Sequence, residues 1–313
     1  MDVGAVIAGV LAGDRRAVAR AISMVEDGGP DLEVLSAGIY ASTGRASTIG
    51  LTGAPGVGKS TLATELVRAE RDAGRTVAVL AIDPTSPYTG GALLGDRVRM
   101  QEHATDPGVF IRSMATRGHL GGMALAAPEA VRVLDAAAYD EVVVETVGVG
   151  QAEVEVAAAT DTAVVVLAPG MGDAVQMAKA GILEIADVFV VNKADRDGAG
   201  EVVRELRQML HLGAARPWEP PILQTSAIGH EGIAELRSAI LDHRTFLKDS
   251  GTLRSKRRAR LLREVESLAA ARFRVRAALA LTADGALADD VASRRVDPYR
   301  AAAILAGETA AAG

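Results

Sequence analysis

Gly53, Ala54, Pro55, Gly56, Val57, Gly58, Lys59 and Ser60 follow one another in the spacing G-x-x-x-x-G-K-[ST]. Glycines at those positions let the backbone turn its N–H groups inward, the geometry that cradles nucleotide phosphates. In it the Lys59 ammonium reaches the β- and γ-phosphates and the Ser60 hydroxyl gives an oxygen to Mg2+. Thr61 continues into a helix whose positive N-terminal dipole adds to the anion site. A glycine-rich turn without a ligand is the competing reading, but the context favours phosphate. Residues 47–52 are β-branched and apolar, as in a buried strand, and Leu62, Leu66 and Ala69 recur at helical spacing over 61–71.

A phosphate loop holds ATP and GTP alike, so the base must be read elsewhere. Asn192, Lys193, Ala194 and Asp195 directly follow a strand-like run at 188–191. Guanine offers two donors along one edge, N1–H and the exocyclic amine, and the Asp195 carboxylate can accept both. Adenine places a lone pair where guanine has N1–H, and each lost charge-assisted bond costs about 1.5–3 kcal/mol. Thr225, Ser226 and Ala227 follow the last strand-like run, where guanine-binding proteins back the base. This order behind a phosphate loop points to GTP and GDP as ligands.

Three acidic residues are candidates for the metal together with Ser60. Asp83 ends the second strand, Glu145 ends the run 141–144, and Asp96 lies in a glycine-rich loop. Strand-end carboxylates beside phosphates are natural partners of Mg2+; helix capping is an alternative for Asp96, which precedes residues 97–103. Glu145, Thr146, Val147 and Gly148 have the shape of a D-x-x-G switch with Glu for Asp, in which the Gly148 N–H contacts the γ-phosphate. Gln151 either positions the attacking water or is a plain helix N-terminal glutamine. Lys59, Asp83, Glu145 and Gln151 are the catalytic candidates. His103, His119 and His230 show no metal-ligand spacing and read as structural or surface residues.

The elements that must position these groups alternate. Strand-like runs at 47–52, 76–82, 109–112, 141–144, 163–167, 188–191 and 222–225 are near-continuous in Val, Ile and Leu, which marks strands buried on both faces. The fold expected is α/β: a P-loop NTPase with a mostly parallel sheet flanked by helices, plus helical extensions at both ends. The expected division is an N-terminal helical extension at 1–45, a nucleotide-binding domain at 46–248 and a helical arm at 249–313. Over 1–45, short helices break at Gly13 and at Gly28, Gly29 and Pro30, with Asp14 and Asp31 as caps. Beyond 252, Arg254, Lys256, Arg257, Arg258 and Arg260 decorate a long helix that also carries Leu253, Leu261, Leu262, Val265 and Leu268. A solvated basic face on a packing helix is expected there, with another helix near 297–305.

The 313 residues contain no Cys, which removes disulfides, thiolate zinc sites and thiol catalysis together. A net charge of −6 argues against general nucleic-acid binding, and no apolar run approaches the ~20 residues of a membrane span. Cytoplasmic residence is the simplest expectation.

Taken together these blocks resemble the MeaB/ArgK family of P-loop GTPases. The pieces that carry the resemblance are 53–61, then Ala81 to Ser86 with Thr89 to Met100, then Arg117 to Gly122, then Glu145 to Gln151, then Asn192 to Asp195. The resemblance implies a Mg2+-dependent GTPase that chaperones an adenosylcobalamin-dependent acyl-CoA mutase, usually methylmalonyl-CoA mutase, gating cofactor loading and protecting the mutase. It implies a homodimer through the C-terminal helices, and an additional switch near Gly170, Asp173, Gln176 and Lys179. A P-loop kinase is the alternative function. A nickel-insertion GTPase would need Cys/His ligands, and the chain has no Cys and no His cluster.

Overall fold

The computed structural model describes residues 2–84, 100–116, 123–146, 156–170, 182–213, 215–283 and 285–308. All seven expected strands form: β1 (Ser47–Thr52), β2 (Val77–Pro84), β3 (Val109–Thr116), β4 (Glu141–Thr146), β5 (Thr162–Leu167), β6 (Val188–Val191) and β7 (Ile222–Gln224). They make one sheet in the order β3-β2-β4-β1-β5-β6-β7, and every neighbouring pair is parallel. β1, β4, β5 and β6 are buried along their whole length, as strands covered on both faces must be. β1 therefore lies at the centre, between β4 and β5.

Alternate residues of each strand supply the two faces. On one face Leu80, Ile82, Val142 and Val144 pack with helices α1 (Val3–Leu11), α2 (Arg15–Asp27) and α3 (Pro30–Ile39), through Val10, Ile22 and Leu35. α5 (Met123–Ala136) joins that cluster with Val133 and Leu134. Further along the sheet Phe189 and Val191 take α6 (Ala199–Leu212) through Val203 and Leu206. On the other face Ile49, Leu51, Val164 and Val166 pack with α4 (Lys59–Asp72) and α7 (Ile233–Asp249). Leu62 and Leu66 of α4 are fully buried there. At roughly 1.5–3 kcal/mol per buried side chain, they hold the phosphate-loop helix flat on the sheet.

Asp14 caps α2 as expected, accepting from the Ala17 N–H, and Asp2 does the same for α1 at Ala5. Asp31 is not a cap: Gly29 holds that position at φ 103°, Pro30 starts the helix, and Asp31 lies in the first turn, where its charge meets the dipole.

The chain divides into two compact units, residues 1–261 and 262–313. Helix α8 (Thr252–Ala283) begins in the first and continues into the second, which also holds α9 (Gly285–Ala292) and α10 (Pro298–Ala306). α10 matches the expected helix, with Asp297 as its cap, whereas α9 is an element the sequence pattern did not mark. The basic face expected on α8 is not solvated at its root. Lys256 donates to Asp187 and to the Asp161 carbonyl, and Arg260 to Asp161 and the Ala159 carbonyl. Arg257 binds both carboxylate oxygens of Asp161 and the carbonyls of Gly44 and Ala46. Burial opposes ionisation of Asp161, but the Arg257 hydrogen bonds and the charges of Arg257 and Arg260 outweigh it and hold its pKa below the usual value. No helix among the described residues is long and apolar enough to cross a membrane.

Candidate functional site

β1 ends at Thr52 in the middle of the sheet's carboxyl edge, and the chain turns at once into the glycine loop. Two of those glycines are obligatory. Gly53 has φ 142°, and a Cβ there would lie 2.2 Å from the Val166 carbonyl oxygen. Gly58 has φ 96°, and its Cβ would lie 2.5 Å from Asn192 Nδ2. Only glycine reaches these conformations and approaches without strain. α4 starts immediately after, with no side-chain cap at its N-terminus. A helix beginning so presents backbone N–H groups and the positive end of its dipole to whatever occupies the loop.

Lys59 opens that helix and is buried; its Nζ donates to the carbonyls of Gly53 at 2.5 Å and Ala54 at 3.0 Å. The ammonium is thereby held over the loop. Ser60 Oγ donates to Glu145 Oε1 at 2.6 Å, so the phosphate helix and the end of β4 meet through two buried side chains. The neighbouring hydroxyls of Thr52 and Thr146 are buried with no hydrogen-bond partner among the described residues, polar capacity that a native fold seldom leaves unused.

Asn192, just beyond β6, is fully buried and ties three loops together. Its Nδ2 donates to the Val57 carbonyl at 2.9 Å; its Oδ1 accepts from Thr225 Oγ1 at 3.0 Å and the Ala227 N–H at 3.2 Å. The Ala227 N–H, which can only donate, fixes which end of the amide is oxygen. Lys193 takes φ 58° and reaches across to the Gly56 carbonyl. Asp195 Oδ1 accepts from Ser226 Oγ at 2.8 Å. Between these groups lies a cavity of about 60 Å3, bordered by Gly58, Thr61, Lys193, Asp195, Ala227 and Ile228.

The structure thus gathers Gly53, Ala54, Gly56, Val57, Gly58, Lys59, Ser60, Thr61, Glu145, Asn192, Lys193, Asp195, Ser226 and Ala227 at one edge of the sheet. Asp83 is the last residue but one of β2, whose Ala81 and Ile82 are level with Glu145 and Thr146 of β4; only the backbone of Asp83 is described. Asp96, Gly148, Gln151, Asp173, Gln176 and Lys179 lie outside the described residues. Ile228, 83% exposed at the cavity rim, was not singled out by sequence reasoning. Its signal was an apolar residue in an otherwise small and polar turn. His103 is structural as expected, with Nε2 against the Thr64 carbonyl. Among the described residues no three His, Cys, Asp or Glu side chains gather as a metal cluster.

An all-parallel sheet with a glycine loop between its central strand and a helix N-terminus defines a P-loop nucleotide-binding protein. The family model described as methylmalonyl Co-A mutase-associated GTPase MeaB matches residues 18–281. The chain belongs to this family, and is a P-loop GTPase whose ligand class is the guanine nucleotide. It is 48% identical over 297 residues to a protein of Pyrococcus horikoshii named as a GTPase, covering 94% of each chain. It is 37% identical to the mitochondrial methylmalonic aciduria type A homolog of Caenorhabditis elegans, covering 79% of this chain and 67% of that one. A crystal structure of a LAO/AO transport system kinase superposes with a TM-score of 0.70 at 28% identity, over 97% of this chain and 96% of the other.

Proposed function

We propose that this protein binds GTP with Mg2+, hydrolyses it to GDP and phosphate, and serves as chaperone and regulator of an adenosylcobalamin-dependent acyl-CoA mutase, with methylmalonyl-CoA mutase the first candidate. The observation that carries the nucleotide reading is the Asn192 interlock. One buried amide joins the phosphate loop, the Asp195 loop and the Ser226–Ala227 turn around a single cavity. Asp195 would accept guanine N1–H and amine, while the Lys193 stem and Ile228 flank the ring.

The donors present suit Mg2+. They are hard oxygens, a hydroxyl and a carboxylate, and Mg2+ is held by one or two such groups plus phosphates rather than by a protein cage. Ser60 gives its hydrogen to Glu145, which brings the hydroxyl and the carboxylate together at the mouth of the loop. Ser60 and Glu145, with Asp83 and Asp96, would hold the ion, which when bound neutralises charge building on the phosphates. Lys59 and the N–H groups of Gly56, Gly58 and α4 would bind the phosphate oxygens, and Gly148 would contact the γ-phosphate. Gln151 would orient the water. Phosphoryl transfer rests on positioning and charge, so slow hydrolysis raised by the partner is the expected behaviour.

The mutase reading is supported by the family description and by the name of the Caenorhabditis elegans relative. Homodimerisation through 249–313 is supported by exposed Leu262, Val265, Leu268 and Leu279 on α8. Titration of the protein with GTP, ATP and XTP, followed by co-purification with a cobalamin mutase and assay of GTP hydrolysis with and without it, tests the proposal. Equal affinity for ATP, or no mutase binding in either nucleotide state, refutes the corresponding half. Stoichiometric transfer of the γ-phosphate to an acceptor other than water would establish a kinase instead.

A further inference from the structure

The turn that backs the base cavity is held from outside as well as from within. Ser226 and Glu231 exchange backbone hydrogen bonds at 3.1 Å each, which closes residues 227–230 into a tight turn with Ile228 at its tip. On its return His230 takes φ 58°, a left-handed conformation that a non-glycine residue adopts only when its surroundings enforce it. What enforces it is on α4. His230 Nδ1 lies 2.6 Å from Glu65 Oε2, and the carboxylate cannot donate, so Nδ1 carries the hydrogen. The contact of Arg68 with the same nitrogen at 3.1 Å is then a close approach, not a bond, because both groups are donors. Arg68 instead donates to both oxygens of Glu65 and, through NH2, to Glu102 at 2.7 Å. Glu65 is buried and sits between His230 and Arg68, about one and two-thirds turns along the helix that starts with Lys59.

We propose that His230 is a positioning residue for guanine recognition: by gripping Glu65 it holds the 226–231 turn against the phosphate-loop helix, and so sets how long the nucleotide stays bound. This rests on the base-reading assignment of Asp195 and Ala227. The turn contributes Ser226 and Ala227 to the inner network. Released from Glu65, residues 227–230 pivot about the Ser226–Glu231 bridge and draw Ala227 away from the base. The phosphate contacts, on the far side of Gly58, stay in place. The grip therefore acts on binding and not on the chemical step.

The measurements are dissociation of a fluorescent GDP analogue, KM and kcat for GTP, and competition by ADP, on full-length wild type and variants. His230→Ala is expected to raise the dissociation rate and KM about tenfold, the worth of one charge-assisted hydrogen bond, with kcat unchanged. His230→Asn suits left-handed backbone but is too short to reach Glu65, and is expected to match Ala. Glu65→Gln keeps an acceptor and is expected to fall between wild type and Ala, which also keeps the test open if His230→Ala folds poorly. A merely structural role would lower the melting temperature or the active fraction without moving KM. Wild-type dissociation and KM in His230→Ala, or full recovery in His230→Asn, overturn the proposal while leaving the base reading intact. A wild-type protein that does not prefer GDP to ADP overturns both.

Discussion

Replacing Gly58 by alanine is the sharpest single test of how the site is assembled. The residue has φ 96°, and its new Cβ would lie 2.5 Å from Asn192 Nδ2. The backbone cost of a side chain in that region is about 1–3 kcal/mol. The clash must be relieved by moving the Asn192 amide, which forfeits its bond to the Val57 carbonyl, a net of roughly 0.5–1.5 kcal/mol. A loss of about 1.5–4.5 kcal/mol follows, hence a fall in melting temperature of about 3–18 °C at ~2–4 °C per kcal/mol. Because the same amide also binds Thr225 and the Ala227 N–H, GDP affinity should fall by at least about tenfold. Differential scanning calorimetry with and without GDP, and titration calorimetry, give both numbers. A variant that melts as wild type and binds GDP as tightly would refute the claim that Asn192 couples the phosphate loop to the base-reading turn. Gly53→Ala meets the Val166 carbonyl at 2.2 Å, backbone that cannot swing aside, and should cost more.

Glu141, at the start of β4, has its pKa pushed up to about 7, chiefly by burial and further by Glu70, against the lowering charges of Arg75 and Arg244. The folded chain then holds a proton that the unfolded chain has lost, so this group's contribution fades as pH rises from about 4.5 through 7, on the order of 3 kcal/mol in all. Glu141→Gln should gain stability relative to wild type across that window, read by urea unfolding at pH 5 to 8; a pH-independent difference would count against it. Asp161→Asn leaves Arg257 and Arg260 facing a neutral partner and should cost about 3 kcal/mol. Asp161 titrates below the usual range, so its contribution is present above about pH 4 and lost only on further acidification; an equal cost at pH 7 and at pH 2 would contradict the assignment. Asp195→Asn should weaken GTP binding and favour XTP, by only about tenfold because Asp195 is solvent-exposed; an unchanged GTP-to-XTP ratio refutes its role.

The central strands were legible because β1, β4, β5 and β6 are buried along their whole length and so run largely in Val, Ile and Leu, whereas β3 and β7, at the sheet's edges, are only partly buried. At the candidate site, 53–60 and Asn192 to Asp195 stood out by residue type at fixed spacing, and the structure brings both to one edge of the sheet. Polarity shared across long separations was not. Nothing local marks Asp161 as the partner of Arg257 and Arg260, and a row of arginines on a helix reads as solvated until the fold brings a buried carboxylate beneath it. Nor could periodicity show Asn192 as an internal tie, since its three partners are distributed over Val57, Thr225 and Ala227. Asp31 was misread as a cap because a turn of Gly28, Gly29 and Pro30 starts the helix two residues sooner than capping by Asp31 would.

Arg257 has a meaning for the order in which the chain is completed. It closes the lower ends of β1 and β5 through the carbonyls of Gly44 and Ala46 and the carboxylate of Asp161, and Ala46 precedes it by 211 residues. On the ribosome the central strand must wait, its entry unsealed, until most of the protein has been made. A chain stopped short of Arg257 holds every motif of the nucleotide site yet keeps a buried, unanswered charge beneath the sheet. Release of such fragments should leave them protease-sensitive, while a fragment ending just past Arg260 resists; equal resistance of the two would show that the seal is dispensable.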